Sequence, residues 1–130
     1  MQSGRARRIA IADDSPTFVD AAARYVAALP GYALAGTAQA SAHALTLVRS
    51  STPDILLLDL GAAPARGLDL LRRVTALPAA PAVVAMTLFH SPEAAAAAMD
   101  AGAVGLVGKD GFVSGLTQLL ARLFPAEIIA

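Results

Sequence analysis

The run Ile55-Leu56-Leu57-Leu58 constrains this chain more than any other stretch. The turn signal Pro53-Asp54 opens it and the carboxylate of Asp59 closes it. A short unbroken apolar run with such boundaries reads as a strand buried on both faces. Strands of that kind belong to parallel sheets covered by helices, where continuous apolar character replaces alternation. Asp59 therefore stands at the carboxyl end of its strand, the edge of an open α/β sheet where ligands bind. A lone Asp in that position does no more than cap a turn. The other strand ends decide between the two roles.

Four further runs repeat the pattern. Residues 8–12, ending in Asp13-Asp14, read as the first strand, and Ser15-Pro16 supplies a capping residue and a proline at the first helical position. Phe18, Ala22, Tyr25, Val26 and Leu29 then recur at helical spacing, which predicts a helix over 16–29 with one apolar face. Pro30-Gly31 breaks it. A second strand is expected over 32–38, and a second helix from Ser41 carrying Ala44, Leu45 and Val48 inward. After the strand at 55–58, the Gly and Pro content of 60–66 predicts a loop and 67–77 a third helix, with Leu70, Leu71 and Val74 inward and Arg72 and Arg73 outward. Residues 82–86 form the fourth expected strand, ending in Thr87. Ser91-Pro92 starts an alanine-rich helix over 93–101 that Gly102 stops. The fifth strand is expected over 103–107, ending near Lys109, and a fifth helix over 114–123 with Leu116, Leu119, Leu120 and Leu123 as its stripe. Five strands alternating with five helices at short connections describe a doubly wound, parallel α/β domain.

Composition narrows the function. The 130 residues are 56% hydrophobic and 15% charged, which suits one domain with a real core and excludes a disordered or coiled-coil chain. Zero formal net charge gives no field favouring nucleic acid or an anionic membrane. Without cysteine there is no disulfide, thiol nucleophile or thiolate metal site. The basic start, Met1 to Arg8, meets an apolar run too short for a signal peptide, and no stretch approaches a membrane span. A cytoplasmic domain is expected. Nine of the ten Lys+Arg residues are arginine; the tenth is Lys109. A compact ammonium on a flexible stem is what that position has and an arginine would not give. His43 falls on the second helix, and His90, after the fourth strand, is read as a surface loop residue.

The strand ends collect the chemistry. Asp13, Asp14, Asp59, Thr87 and Lys109 all follow strands, so one sheet edge could bring the five side chains into one pocket. Three carboxylates together repel one another and demand a cation; all-oxygen donors suit magnesium. Such an ion would neutralise an incoming phosphoryl group and leave one carboxylate to attack it. Asp59, alone on the central strand, is the best nucleophile, with Asp13 and Asp14 as metal holders. Lys109 would pair with one phosphoryl oxygen and Thr87 would donate a hydrogen bond to another.

Over residues 8–123 the sequence resembles the response-regulator receiver family. The resemblance rests on Asp13-Asp14, on Leu58-Asp59 with Gly67 eight residues later, on Met86-Thr87 and on Lys109-Asp110. It implies the flavodoxin-like strand order 2-1-3-4-5, an order carried over from the family rather than read from these residues. It implies that Asp59 accepts a phosphoryl group from a sensor histidine kinase or phosphotransfer protein. Magnesium would be held by Asp14, Asp59 and the backbone carbonyl of Gly61, with Asp13 reaching it mainly through water. Output would pass through the surface of the fourth helix, fifth strand and fifth helix to a separate protein or a second copy, with no direct contact to nucleic acid or membrane. The expected boundaries are a tail over 1–7, the receiver over 8–124 and a tail over 125–130. Lys109-Asp110 is similar to receivers that precede a helix-turn-helix domain; none is read after it here.

Three features depart from the family pattern. Asp59 is followed by Leu60-Gly61-Ala62-Ala63, with proline one position late at Pro64. Bulky Leu88 follows Thr87, and Leu106 stands where the family carries an aromatic switch residue. The alternative function is thus a receiver that binds partners without phosphorylation. A phosphatase working through an aspartyl-phosphate is a further rival, but the second Asp of that class falls on Gly61. Ser15 and Thr17 offer only a faint flavin-phosphate loop.

Overall fold

The computed structural model describes residues 5–125. Five parallel strands form one sheet in the order β2-β1-β3-β4-β5. They are β1 (Arg7–Ala12), β2 (Tyr32–Ala38), β3 (Ile55–Asp59), β4 (Ala82–Thr87) and β5 (Gly105–Gly108). The helices between and after them are α1 (Pro16–Ala28), α2 (Ala44–Ser51), α3 (Pro64–Thr75), α4 (Pro92–Asp100) and α5 (Phe112–Leu123), with a 3-10 turn at Ser41–His43. This is the doubly wound, flavodoxin-like arrangement that the resemblance implies. The tails expected over 1–7 and 125–130 fall largely outside the described residues, and β1 begins at Arg7.

Alternation along the strands sorts the core into two layers. Ile9, Ile11, Ile55, Leu57, Val84, Met86 and Val107 point to the side covered by α1 and α5. Ala10, Ala12, Leu56, Leu58, Val83 and Ala85 point to the side covered by α2, α3 and α4. Every residue of β3 is buried, as its unbroken apolar run requires. At about 25 cal/mol per Å² of apolar surface, these two layers supply most of the drive to fold. They also decide which helices each strand-end side chain faces.

Several boundaries differ from the sequence reading. Helix α3 starts at Pro64, not at Gly67, so residues 64–66 are helical rather than loop. Proline lacks an N–H that the first helical turn would leave unpaired, and here it opens the helix instead of breaking it. Strand β5 starts at Gly105 because Gly102, at φ +112°, closes α4 and the Ala103 N–H still bonds to the Ala98 carbonyl. Helix α5 starts at Phe112, directly after Gly111 in the left-handed region at φ +78°. The second helical segment begins as the 3-10 turn at Ser41 before becoming α2.

Candidate functional site

The carboxyl edge of the sheet is built by β1, β3 and β5 and the loops that leave them. Asp13, Asp59 and Lys109 each follow by two residues a side chain of the α1/α5 layer, namely Ile11, Leu57 and Val107. Period-two alternation therefore sends all three the same way. Lys109 Nζ lies 2.7 Å from Asp13 Oδ2 and 3.4 Å from Asp59 Oδ1. Asp13 is fully buried and Asp59 nearly so. Buried charges persist only when paired, and one ammonium serves both carboxylates.

The loops complete the pairing. The Ser15 N–H donates to Asp13 Oδ1 at 2.8 Å, while the Ser15 hydroxyl accepts from the Phe18 N–H at 3.2 Å and caps α1. Gly61, at φ +77°, turns its N–H back to Asp59 Oδ1 at 3.1 Å. Gly67 is fixed by a close approach: a Cβ there would meet the Leu60 carbonyl oxygen at 2.1 Å. That contact seats the first turn of α3 against the loop that leaves Asp59.

Burial pushes the Asp13 carboxyl above its ordinary value. The Lys109 ammonium and the Ser15 N–H pull the other way, and the neighbouring Asp59 charge adds to the rise. Asp13 Oδ2 is also buried without a directed hydrogen bond, its ammonium contact aside. The edge is thus short of positive charge and offers oxygen donors, a chemistry that fits a hard divalent cation.

Two of the five strand-end residues do not join the cluster, contrary to the expected convergence. Asp14 is exposed and its Oδ1 accepts from the Ser41 N–H at 2.8 Å. The Thr87 hydroxyl accepts from the Phe89 N–H at 3.2 Å. Thr87 follows Ala85 of the opposite layer, so alternation sends it away from Asp59. Accordingly, no group of three or more His, Asp or Glu side chains that could hold a metal stands together among the described residues. Leu106 packs on the α2/α3/α4 layer. His90 is exposed, as read from the sequence, and so is His43.

Three residues at the site have local roles that the sequence does not disclose. Ser41 anchors Asp14, and Ser15 reaches Asp13 as well as capping α1. Helical spacing puts Phe18 on the apolar face of α1, yet its ring also lies under Lys109 Nζ, 4.8 Å from the centroid. The same spacing describes both roles of Phe18 equally well and does not separate them.

The response regulator receiver domain family matches residues 9–121. The chain belongs to this family. Receivers are modules of two-component signalling, in general without catalytic activity of their own, and this chain is one of them. Among curated relatives, a protein-glutamate methylesterase/protein-glutamine glutaminase of Rhizobium etli is 30% identical over 80% of this chain and 30% of its own. A putative transcriptional regulator of Pseudomonas aeruginosa is 30% identical over 78% of this chain and 49% of its own. The receiver thus spans half or less of these relatives' lengths. Among solved structures, a LuxR-family two-component response regulator from Aurantimonas superposes with a TM-score of 0.79 at 29% identity, over 91% of this chain and 84% of that one. The receiver domain of the putative regulator NarL from Mycobacterium tuberculosis gives 0.79 at 22% identity, over 92% and 97%, a likeness of fold alone. Among the described residues no helix is long and apolar enough to cross a membrane.

Proposed function

We propose that this receiver accepts a phosphoryl group on Asp59 in a Mg²⁺-dependent reaction and signals through the surface formed by α4, β5 and α5. The observation that carries this reading is the ammonium of Lys109 held between Asp13 and Asp59 at the carboxyl edge. An Asp59 oxygen attacks the phosphorus of a phosphohistidine or an acyl phosphate. The new O–P bond forms as the donor's N–P or O–P bond breaks, and that bond's electron pair leaves with the donor. Lys109 turns from Asp59 to an incoming phosphoryl oxygen, a charge-assisted contact. Thr87 reaches a second oxygen once its hydroxyl leaves the Phe89 N–H.

Asp13, Asp14, Asp59 and the Gly61 carbonyl would hold the Mg²⁺, which when bound supplies neutralising charge beside the phosphoryl group. The added charge, about −1.5 to −2, then shifts an existing equilibrium of the loop after β4 and of the α4–β5–α5 face. The donor is a sensor histidine kinase or a phosphotransfer protein. The reader is a separate output protein or a second copy of this chain, and the receiver itself touches no nucleic acid. The site works in the cytoplasm, where such donors reside.

A second reading has its own support. Leu106 lacks an aromatic ring, and Asp14 and Thr87 hold other partners, so the chain could bind its partner without phosphorylation. Adding fluoroberyllate and Mg²⁺ separates the two in an amide NMR spectrum. The phosphoacceptor reading expects shifts in residues 87–91 and along α4, β5 and α5, reversed by EDTA. A spectrum that stays unchanged supports the phosphorylation-independent module.

A further inference from the structure

We infer that Phe18 is a positioning residue for Lys109, its ring face holding the ammonium where a phosphoryl oxygen on Asp59 would meet it. Lysine has a flexible four-carbon stem and no fork geometry to fix its head. At this site the head has carboxylates as partners, at 2.7 and 3.4 Å, and the Phe18 ring, at 4.8 Å from its centroid. The Lys109 side chain is 11% exposed. A ring face within about 6 Å attracts an ammonium electrostatically, and more strongly when water is excluded.

The local sequence builds this contact. Asp13 Oδ1 accepts from the Ser15 N–H at 2.8 Å, and the Ser15 hydroxyl accepts from the Phe18 N–H at 3.2 Å. Pro16 opens the helix between them. The carboxylate partner of Lys109 and its ring partner are therefore tied to one another by a single turn. Behind the ring, Phe112 packs edge to face at 5.1 Å and 79°, and Tyr25 packs on Phe112 at 6.1 Å and 75°. Tyr25 is anchored in turn by a hydrogen bond between its hydroxyl and that of Thr117. Phe18 is thus backed on α1 and α5 and cannot swing away without unpacking that stack.

The consequence is orientational. An ammonium already placed beside Asp59 makes its transition-state contact without a search through rotamers, which is where positioned groups gain rate. Phe18 acts through Lys109 and touches no reacting atom. The rate effect rests on the phosphoacceptor reading given above; the contact itself does not.

Lys109 is the single lysine of the chain, so isotope-labelled lysine gives an NMR signal from this side chain alone. The ring should shift the Lys109 ε-methylene protons upfield from the position of free lysine. Phe18→Leu should abolish that shift and Phe18→Tyr should keep it. An unshifted lysine signal in the folded native protein overturns the inference, whatever Asp59 does. With acetyl phosphate and Mg²⁺, Phe18→Leu should slow phosphorylation about three- to tenfold, and Phe18→Tyr should stay within about twofold of native. The Phe18→Leu loss should vanish in a Lys109→Gln background. An equal loss in both backgrounds reduces Phe18 to a packing residue and overturns the positioning role. If Asp59 accepts no phosphoryl group in any variant, the function proposed above fails, and the lysine signal still decides whether the ring holds the ammonium.

Discussion

Lys109 Nζ stands nearer to the fully buried Asp13 Oδ2, at 2.7 Å, than to Asp59 Oδ1, at 3.4 Å. The lysine thus neutralises the buried carboxylate first and leaves Asp59 the looser partner. Removing it strands two carboxylates in a dry edge. Lys109→Met should therefore cost about 3 kcal/mol, the scale for breaking a buried pair from one side. Because the deficit is one of positive charge, millimolar Mg²⁺ should restore part of that loss, and denaturant unfolding with and without the ion checks both statements.

The Asp13 carboxyl gives a pH dependence with a definite sign. Its folded-state value is raised, first by burial, so the folded chain binds this proton more tightly than the unfolded chain. The cost of ionised Asp13 is then full above its raised folded value and fades as pH falls towards the ordinary 3.8. Asp13→Asn, measured in EDTA, should match or exceed the native melting temperature at pH 8, with the difference closing as pH falls to the ordinary carboxylate range. A variant that melts well below native at pH 8, and recovers in acid, would reverse the sign.

Two helix caps of similar geometry separate stability from site function. Ser15 accepts from the Phe18 N–H at 3.2 Å, and Ser91 from the Ala94 N–H at 3.0 Å. Alanine at either should cost about 1 kcal/mol. Only Ser15→Ala should also slow phosphorylation: the Ser15 N–H to Asp13 survives the change, but the lost hydroxyl cap holds the Phe18 N–H, and with it the ring beside Lys109. Thermal melts paired with acetyl phosphate kinetics test the contrast.

Gly61, in the loop after β3, and Gly67, in α3, should respond differently to alanine. At Gly61 a Cβ meets nothing within 4 Å, and the cost is the left-handed backbone alone, about 1 kcal/mol. At Gly67 the Cβ meets the Leu60 carbonyl oxygen at 2.1 Å, so α3 or the loop must move. Gly67→Ala should be the costlier change, by about 1–3 kcal/mol as overpacking goes. Equal unfolding midpoints for the two variants would contradict the close approach.

The fold was largely legible because burial leaves few options. A strand such as Ile55–Asp59, buried along its whole length, demands helices on both sides, and the alternation of five strands with helices at short spacing fixes the layering. Boundaries were less legible where one residue type serves two purposes. Pro64 opens α3, whereas Pro30 follows the end of α1. At the site, strand-end position identified the acidic residues and Lys109, but not which way each would point. Alternation gathers Asp13, Asp59 and Lys109 on the α1/α5 side and sends Thr87 to the other. The partners of Asp14 and Thr87, the N–H groups of Ser41 and Phe89, are set by loop conformation, which leaves no periodic trace in the sequence.

The signalling role proposed for this receiver depends on Asp59 carrying a phosphoryl group, and intact mass reads that event without a label. Native protein and Asp59→Asn are each treated with acetyl phosphate, once with Mg²⁺ and once with EDTA. One added phosphoryl mass is expected in native protein with Mg²⁺ and in none of the other three samples. An unmodified native mass with Mg²⁺, or an adduct that persists in Asp59→Asn, would contradict it.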